Sequence, residues 1–467
     1  MHFLAILEMW AVAGYNFIRP DRDQLFLMPP ALQDWLPSGD LAYFVLDAVD
    51  QFDLQHFSAA YRADGVGQAA FQPHMMVALL LYAYCLGVRS SRQIERLCQR
   101  DVAFRVVAGN LRPDHATIAR FRQRHVEALK GLFTDILRLC KEAGLVKVGV
   151  VALDGTKIAA DAALEANRTY ETIRSEVETM LREAESTDVE EDRLYGPEHR
   201  GDELPEALQE RRGRLERLKQ CRDRLEREAA AAAADHTHKL EERAAKEAET
   251  GRKLRGRKPK PVSDSPEPEA KANVTDPDSR IMKTRRGYVQ GYNAQAVATA
   301  DQIIVAADVT AEENDVAQLH PMLAATAIEL KAAGVEEAVG AALVDAGYCS
   351  EENLEQADPE GPELFVATRK DWKQREQMRQ APPPRGRIPG HLSRRERMDR
   401  KLLTKRGRRL YKQRSQIIEP IFGQTKACRG IDRFQRRGLA NCQSEWKVIC
   451  GTHNLLKLWR SGKGRWN

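Results

Sequence analysis

The sequence predicts a mixed α/β fold, preceded by an all-helical region and interrupted by a charged insertion. In the second half of the chain, short apolar, β-branched runs typical of buried strands alternate with helical patterns. The first third shows helical patterns separated by tight turns. A chain of 467 residues is long enough to form two or three domains, each with its own core.

The first predicted domain comprises residues 1–143 and is helical. Ser90 and Asp114 are placed to cap two of its helices, because short polar side chains accept hydrogen bonds from the first turn. The pattern is compatible with a helix-turn-helix DNA reader and equally with a small helical bundle. In the first case the helix after Asp114 contacts DNA through its basic side chains, which are Arg120, Arg122 and Arg124.

The predicted catalytic core has two parts, residues 144–169 and 276–460. One strand is expected in the first part and four in the second, with a helix beginning at Asp315. The predicted strands lie at 146–158, 287–298, 302–309, 341–345 and 364–368. Together they predict a mixed five-stranded sheet with flanking helices.

Residues 170–275 are predicted to form an insertion, because their composition changes to a charged, Ala/Glu/Arg-rich pattern. Four leucines at 7-3-7 spacing resemble a coiled-coil seam and offer a contact between two copies of the chain. They are Leu208, Leu215, Leu218 and Leu225. The basic segment 251–260 and the Pro-rich segment 261–277 are typical of a flexible linker.

Charge is distributed unevenly along the chain. Residues 369–414 contain 18 Lys/Arg and 4 Asp/Glu, a local excess of +14, so the remainder carries −9 of the net +5. A basic region of this length predicts binding to a polyanion such as nucleic acid. Eight cysteines without zinc-like spacing favour reduced thiols and a cytoplasmic location. The apolar residues 1–14 contain Glu8, lack a basic leader and are too short to span a bilayer, so we expect neither a signal peptide nor a membrane anchor.

Three carboxylates are the candidate catalytic residues. Asp154 and Asp345 each close a buried apolar run and are followed by glycine at once or within two residues, so we expect them at a sheet edge within close reach of a nucleic-acid backbone. Glu419 stands among Arg, Lys and Tyr side chains at the end of the basic region. Hard oxygen ligands of this kind suit Mg²⁺ or Mn²⁺, and two such ions support in-line phosphoryl transfer.

Each carboxylate also has a purely structural interpretation. Asp154 and the glycine after it form a common hairpin-turn dipeptide, and Asp345 is placed to cap the next turn. Glu419 is also interpretable as a surface residue in ion pairs with its basic neighbours. Asp308, in the middle of a strand, and Asp315, a predicted N-cap, are weaker candidates for the same site.

Four blocks of sequence in a fixed order carry a family resemblance. They are Leu153–Lys157, Gly291–Gln295, Val344–Tyr348, and the set Tyr411, Arg414, Glu419 and Lys426. With these blocks the chain resembles the DDE transposases of bacterial insertion sequences, in the group with a Tyr-x2-Arg-(spacer)-Glu-x6-Lys signature. The similarity extends to the N-terminal segments Arg89–Glu95 and Asp114–Arg122, and so covers about three quarters of the chain.

The resemblance implies a ribonuclease-H-like core in which Asp154, Asp345 and Glu419 form a catalytic triad that binds two Mg²⁺ or Mn²⁺ ions. It further implies metal-dependent cleavage at the ends of the element and transfer of the released 3′-hydroxyl into target DNA. The expected partners are double-stranded DNA, as terminal inverted repeats and as target, and a second copy of the chain in a synaptic homodimer. The expected location is the bacterial cytoplasm, at the nucleoid when DNA is bound. The phosphates of the element ends would be held by Tyr411, Arg414 and Lys426.

The last block departs from the family pattern in one respect. Four residues separate Arg414 from Glu419, where three are commonest, and Pro420 predicts a kink directly after Glu419. Three other functions stay open. They are a nuclease with the same core and no strand transfer, an inactive DNA-binding regulator, and a tyrosine recombinase, which would need Tyr411 as nucleophile.

Overall fold

The computed structural model describes residues 31–61, 69–195, 206–251, 262–284 and 287–464. The apolar segment 1–14 and most of the basic segment 251–260 lie outside these ranges. All eight cysteines lie within them and are free thiols, as predicted. In the described residues, no helix has the length and apolarity that crossing a membrane requires.

The N-terminal part of the described chain is helical, which confirms the prediction. Its helices are α1 (Leu41–Val49), α2 (Gln55–Ser58), α3 (Pro73–Cys85), α4 (Ser91–Arg100), α5 (Val102–Val107), α6 (His115–Arg124) and α7 (Val126–Glu142). Both predicted caps are present: Ser90 Oγ accepts a hydrogen bond from the Gln93 amide at 3.4 Å, and Asp114 Oδ1 accepts one from the Thr117 amide at 2.6 Å.

The strands are β1 (Val150–Ala159), β2 (Asn167–Thr169), β3 (Lys271–Asn273), β4 (Arg280–Thr284), β5 (Gly287–Thr299), β6 (Ile304–Thr310), β7 (Ala341–Val344) and β8 (Glu363–Val366). The central sheet is mixed, because β1 is antiparallel to β5 and parallel to β7, which is parallel to β8. All five predicted strands are present, so the α/β class is confirmed.

The predicted strand number was wrong by one, because β4 is a sixth strand of this sheet. Strand β4 pairs with the first part of β5 and β6 with the second part, so both lie along the same side of β5. Only Met282 of β4 is buried. An edge strand with one buried side chain has no apolar run that sequence reading would detect.

The remaining helices surround this sheet and the insertion. They are α8 (Tyr170–Tyr195), α9 (Glu206–Thr250), α10 (Leu319–Ala332), α11 (Glu351–Glu355), α12 (Asp371–Gln380), α13 (Arg394–Leu403), α14 (Lys405–Tyr411), α15 (Arg414–Gly423) and α16 (Leu439–Ser461). Helix α16 packs against α3 and α7 on one side and against β6 on the other. The N-terminal helices and the sheet therefore share one continuous hydrophobic core.

Polar groups fix α16 within this core. The Asn454 side chain exchanges hydrogen bonds with the backbone of Ile304, at 2.8 Å to the amide and 2.7 Å to the carbonyl. Glu445, fully buried, pairs with Arg89 of the N-terminal region at 2.9 Å. A buried ion pair is sensitive to the loss of either partner, so this contact ties the helical region to the sheet.

The leucines of the insertion pack within the chain, contrary to a role between copies. Leu218 and Leu225 of α9 are buried against Ile173 and Val177 of α8. Leu215 packs beside them, and the Leu208 side chain lies outside the described part. These three leucines thus form the contact between helices α8 and α9 of the insertion.

The end of the predicted flexible linker is ordered. Strand β3 pairs with β2, and Ala272 and Asn273 are buried. The Asn273 side chain donates a hydrogen bond to the Ala163 carbonyl at 2.8 Å. The flexible interpretation of 261–277 was therefore wrong for this part, because a short apolar contact and side-chain hydrogen bonds fix a segment whose composition is typical of a linker.

The kink predicted directly after Glu419 does not end the helix. Helix α15 runs through Pro420 to Gly423 and continues as a π-helical turn, Gln424–Cys428. Proline removes the amide that would bond to the Gln416 carbonyl, four residues earlier. The Gln302 side chain supplies the missing donor at 2.9 Å, so the helix continues without an unsatisfied carbonyl there.

Candidate active site

Parallel pairing of β1 and β7 brings the first two candidate carboxylates together. The register places Leu153 opposite Val344, so Asp154 of β1 lies next to Asp345, the first residue after β7. Strand β1 continues beyond this point to Ala159, paired with β5. The hairpin-turn interpretation of Asp154 is therefore wrong, as is the expectation that Asp154 closes its strand.

The Asp154 carboxylate is largely buried and bonded on both oxygens. Oδ1 accepts a hydrogen bond from the Gly155 amide at 2.8 Å, and Oδ2 accepts one from Arg414 Nη1 at 3.0 Å. Burial raises the pKa of the Asp154 carboxyl to about 7, against the opposing effect of Arg414 and with a further contribution from the negative charge of Asp345. A buried carboxylate with a raised pKa next to a second carboxylate marks a place that favours positive charge.

Asp345 directly follows β7 and begins the short turn Ala346–Tyr348. Its Oδ1 accepts a hydrogen bond from the Gly347 amide at 2.8 Å, so the capping interpretation is correct. The cap also fixes the orientation of the carboxylate beside Asp154. Asp345 thus caps the turn and also lies at the candidate site.

Glu419 lies on α15, which packs over β1. Its side chain is 52% exposed and forms ion pairs with Arg375 at 3.5 Å and with Arg414 at 3.7 Å. The ion-pair interpretation is therefore correct for the structure as described. Arg375, on α12, belongs to the basic region but was not singled out from the sequence.

Arg414 stands between the carboxylates of the triad. Its side chain is 6% exposed, with Nη1 at 3.0 Å from Asp154 and Nη2 at 3.7 Å from Glu419. The guanidinium neutralises both carboxylates in the absence of other cations. The sequence predicts a basic environment around Glu419 but gives no indication of this bridge, which joins residues 260 positions apart.

The donor set suits a hard divalent cation, since three carboxylates supply oxygen ligands. Among the described residues, no three His, Cys, Asp or Glu side chains lie close enough together to hold a metal ion. The Arg414 guanidinium lies between Asp154 and Glu419 and forms an ion pair with each of them. The residues fit Mg²⁺ or Mn²⁺ in the chemistry of their oxygen atoms.

The other predicted phosphate-binding residues lie close by. Tyr411 and Arg414 line a cavity of about 480 Å³, whose wall also includes Arg375, Arg379 and Arg408. Lys426 lies on the π-helical turn and donates a hydrogen bond to the Lys157 carbonyl of β1 at 2.6 Å. These groups thus lie on or beside the elements that carry Asp154 and Glu419.

The three N-terminal arginines separate into two kinds. Arg120 and Arg124 are exposed on α6, and the Arg124 guanidinium lies 5.1 Å from the ring centroid of Tyr61. Arg122 is buried and donates hydrogen bonds of 2.7 Å to the Arg89 carbonyl and to Ser91 Oγ. Its guanidinium is used within the fold, so only Arg120 and Arg124 of the three are exposed.

Asp308 and Asp315, the two weaker candidates for the carboxylate site, differ in their location. The Asp308 carboxylate accepts a hydrogen bond from the Val309 amide at 2.8 Å, and its nearest positive charges are Lys447 and Lys130, on the α16 and α7 side. Asp315 makes no helix cap, contrary to prediction. Its Oδ1 accepts hydrogen bonds from Asn293 at 2.7 Å and Gln295 at 2.8 Å.

Asp315 therefore lies beside the candidate site. A Cβ atom added to Gly155 would lie 2.7 Å from Asp315 Oδ1 and 2.9 Å from Asn293 Oδ1. The absence of a side chain at Gly155 thus makes room for the side chains of Asp315 and Asn293. The sequence had instead suggested that this glycine allows DNA to approach closely. The sequence offered one indication of this position. Asn293 and Gln295 are alternate residues of a strand, so their polar side chains lie on the same face of the sheet, where both can donate to one carboxylate.

A mixed sheet whose central strands carry acidic residues beneath basic helices is compatible with one class, α/β proteins that act on phosphate esters. Comparison with protein families identifies the member of this class. Residues 30–124 match the model of a transposase domain, and residues 387–459 match the model of a transposase DDE domain. Neither the search of curated proteins nor the search of solved structures found a match.

The two matched domains support a DDE transposase of an insertion element, an enzyme that acts on DNA. Enzymes of this family generally use divalent metal ions. The DDE domain match contains Tyr411, Arg414, Glu419 and Lys426, and the N-terminal match contains Arg120 and Arg124. Asp154 and Asp345 lie between the two matched segments, so their assignment depends on the geometry of the sheet.

Proposed function

We propose that this transposase cleaves DNA at the ends of its own element and transfers the released 3′-hydroxyl into target DNA, with Asp154, Asp345 and Glu419 as its catalytic carboxylates. The observation that carries the proposal is the parallel pairing of β1 with β7, which sets Asp154 beside Asp345 under the helix that bears Glu419. A mixed sheet with this arrangement also supports the ribonuclease-H-like core that the family resemblance implies.

The three carboxylates would hold two Mg²⁺ or Mn²⁺ ions. Bound there, such ions activate the attacking oxygen and neutralise charge on the departing one. Asp154 and Asp345 are held in place by amide hydrogen bonds before any substrate arrives, from Gly155 and Gly347. Glu419 is the adjustable member of the triad, since its side chain is half exposed and pairs only with arginines among its described contacts.

Arg414 exchanges partners when DNA binds. In the protein alone it neutralises Asp154 and Glu419. A phosphate of the element end offers a guanidinium two acceptor oxygens in the same bidentate geometry. Arg414 then positions the scissile strand, and the two carboxylates become available to cations.

The remaining DNA contacts follow the basic surface. Tyr411 and Arg408 border the cavity next to Arg414, and Lys426 lies beside β1. Arg120 and Arg124 of α6 provide a second contact region for the terminal repeats. Two ends must be brought together before joining, so we propose a homodimer as the active assembly. Leu215, Leu218 and Leu225 of the predicted seam pack within the chain, against α8.

Strand joining is the property that tests this function. Purified full-length chain is incubated with Mg²⁺, labelled duplexes that carry the terminal repeats flanking the reading frame, and a supercoiled plasmid. We expect labelled 3′ ends joined covalently to plasmid. Cleavage without joined product would favour a nuclease, and binding without cleavage would favour a regulator. A phosphotyrosine adduct trapped at Tyr411 would instead identify a tyrosine recombinase.

A further inference from the structure

Gln302 lies in the turn between β5 and β6, in an unusual backbone conformation. Its φ angle of 63° is in the left-handed region, which among the described residues other than glycine only Asn110 shares. Glycine enters this region freely and asparagine tolerates it, whereas glutamine has neither advantage. The conformation therefore carries a cost that contacts elsewhere in the fold must offset.

Contacts with α16 hold the Gln302 side chain in one direction. Lys457 Nζ donates a hydrogen bond to Oε1 at 2.8 Å, and His453 Nε2 donates one to the main-chain carbonyl of Gln302 at 3.0 Å. With Oε1 bound to Lys457, the amide nitrogen Nε2 is directed toward α15. There it donates a hydrogen bond to the Gln416 carbonyl at 2.9 Å.

The Gln416 carbonyl is the acceptor that Pro420 leaves without a helical donor. In a regular helix it would accept from the amide of residue 420, so Gln302 Nε2 replaces a group directly next to Glu419. Proline bends a helix at the turn that precedes it, and a carbonyl without a partner favours that bend. Because Glu419 lies within this turn, the Gln302 contact fixes the backbone that carries the Glu419 carboxylate.

The Gln302 contact differs from two other polar contacts between this helix and the sheet. Arg414 pairs with Asp154, and Lys426 of the π-helical turn donates to a carbonyl of β1. The proposed function assigns both of these basic side chains to DNA phosphates. Gln302 has no such assignment, and it follows β5, the strand paired with β1. Its contact therefore persists when DNA binds, and keeps the Glu419 turn attached to the strand pair that carries Asp154.

We propose that Gln302 is a positioning residue of the active site, which supplies the helix donor that Pro420 lacks and so holds Glu419 in place relative to Asp154. The inference rests on the proposed metal-dependent function. The competing interpretation is that the hydrogen bond only stabilises the fold. A positioning role changes the dependence of cleavage on metal ions, whereas a loss of stability changes the fraction of active protein.

A pair of substitutions separates these interpretations. Gln302→Glu removes the amide donor and keeps an oxygen for Lys457. Pro420→Ala returns an amide to residue 420, which donates to the Gln416 carbonyl within the helix. In the double variant the lost donor is thus replaced, while the added negative charge remains. End cleavage of a pre-bound terminal-repeat duplex by full-length chain is measured under single-turnover conditions over a range of Mg²⁺ concentrations, well below each variant's melting temperature.

We expect Gln302→Glu to lower the cleavage rate constant by about 10-fold and to raise the Mg²⁺ concentration for half-maximal rate by about as much. Pro420→Ala and the double variant should both cleave within about 3-fold of wild type, because each retains one donor for the Gln416 carbonyl. A double variant as slow as Gln302→Glu would overturn the role, since the loss would then come from the charge. A smaller amplitude at an unchanged rate constant would also overturn it, because only the folded fraction would have changed.

Failure of this inference is distinguishable from failure of the proposed function. Wild-type cleavage by Gln302→Glu, together with loss of cleavage in Asp154→Asn, would refute the positioning role and leave the proposed function intact. Wild-type cleavage by Asp154→Asn as well, or no cleavage by the wild-type chain, would instead contradict the proposed function.

Discussion

Replacing Asp154 by asparagine is expected to lower both end cleavage and strand transfer by about 10³-fold or more, or about 4 kcal/mol of activation free energy. The substitution removes the central negative charge of the site and retains the shape of the side chain. The acceptor for the Gly155 amide is also retained. Rates are measured under single-turnover conditions with pre-bound duplex, so that a loss reports chemistry and not DNA affinity.

Asp308→Asn is the matched control for this substitution. Asp308 is also an aspartate of the sheet whose pKa is raised by burial, but its charge faces Lys447 and Lys130. We expect cleavage within a few-fold of wild type for this variant. Equal losses in the two variants would show that removal of any buried carboxylate disables the chain, and would refute a catalytic role for Asp154.

Arg414→Gln is expected to have opposite effects on cation binding and on catalysis. Without DNA, the variant should bind Mn²⁺ more tightly than wild type, because the guanidinium no longer neutralises Asp154 and Glu419. End cleavage should fall by about 10²-fold or more, since the group that positions the scissile strand is lost. Titration of Mn²⁺ in the absence of DNA and single-turnover cleavage measure the two effects separately.

Arg409→Gln provides the comparison, because Arg409 is exposed on the neighbouring helix α14 and carries the same charge. It should leave Mn²⁺ binding unchanged and reduce cleavage little. If Arg414→Gln instead weakened Mn²⁺ binding and lowered the melting temperature, Arg414 would be a structural partner of Asp154, and the proposed exchange onto DNA would be wrong.

Local patterns in the sequence were enough to predict most of the fold. Apolar, β-branched runs located five strands, and the caps at Ser90 and Asp114 marked helix starts correctly. Strand β4 was missed because an exposed edge strand needs few apolar residues. The helix through Pro420 was missed because its missing donor comes from Gln302, which is far away in sequence.

The candidate site was predictable in composition and less so in contacts. Residue type and position beside apolar runs were sufficient to find Asp154 and Asp345, whose proximity follows from strand pairing. The bridge made by Arg414 and the inward turn of Arg122 depend on which residues meet in three dimensions. Asp315 was interpreted as a helix cap because sequence shows its neighbours along the chain and not the amides of β5.

The cation preference of an Asp345→Cys variant tests the central claim, that carboxylates at this sheet edge bind the ions of the reaction, most directly. A thiolate is a soft ligand that is poorly suited to hard Mg²⁺ and better accepted by the transition metal Mn²⁺. Wild type should join ends with either ion. Asp345→Cys should be inactive with Mg²⁺ and regain joining with Mn²⁺, while Asp308→Cys shows no such preference. Full activity of Asp345→Cys with Mg²⁺, or a loss that Mn²⁺ does not relieve, would contradict the claim.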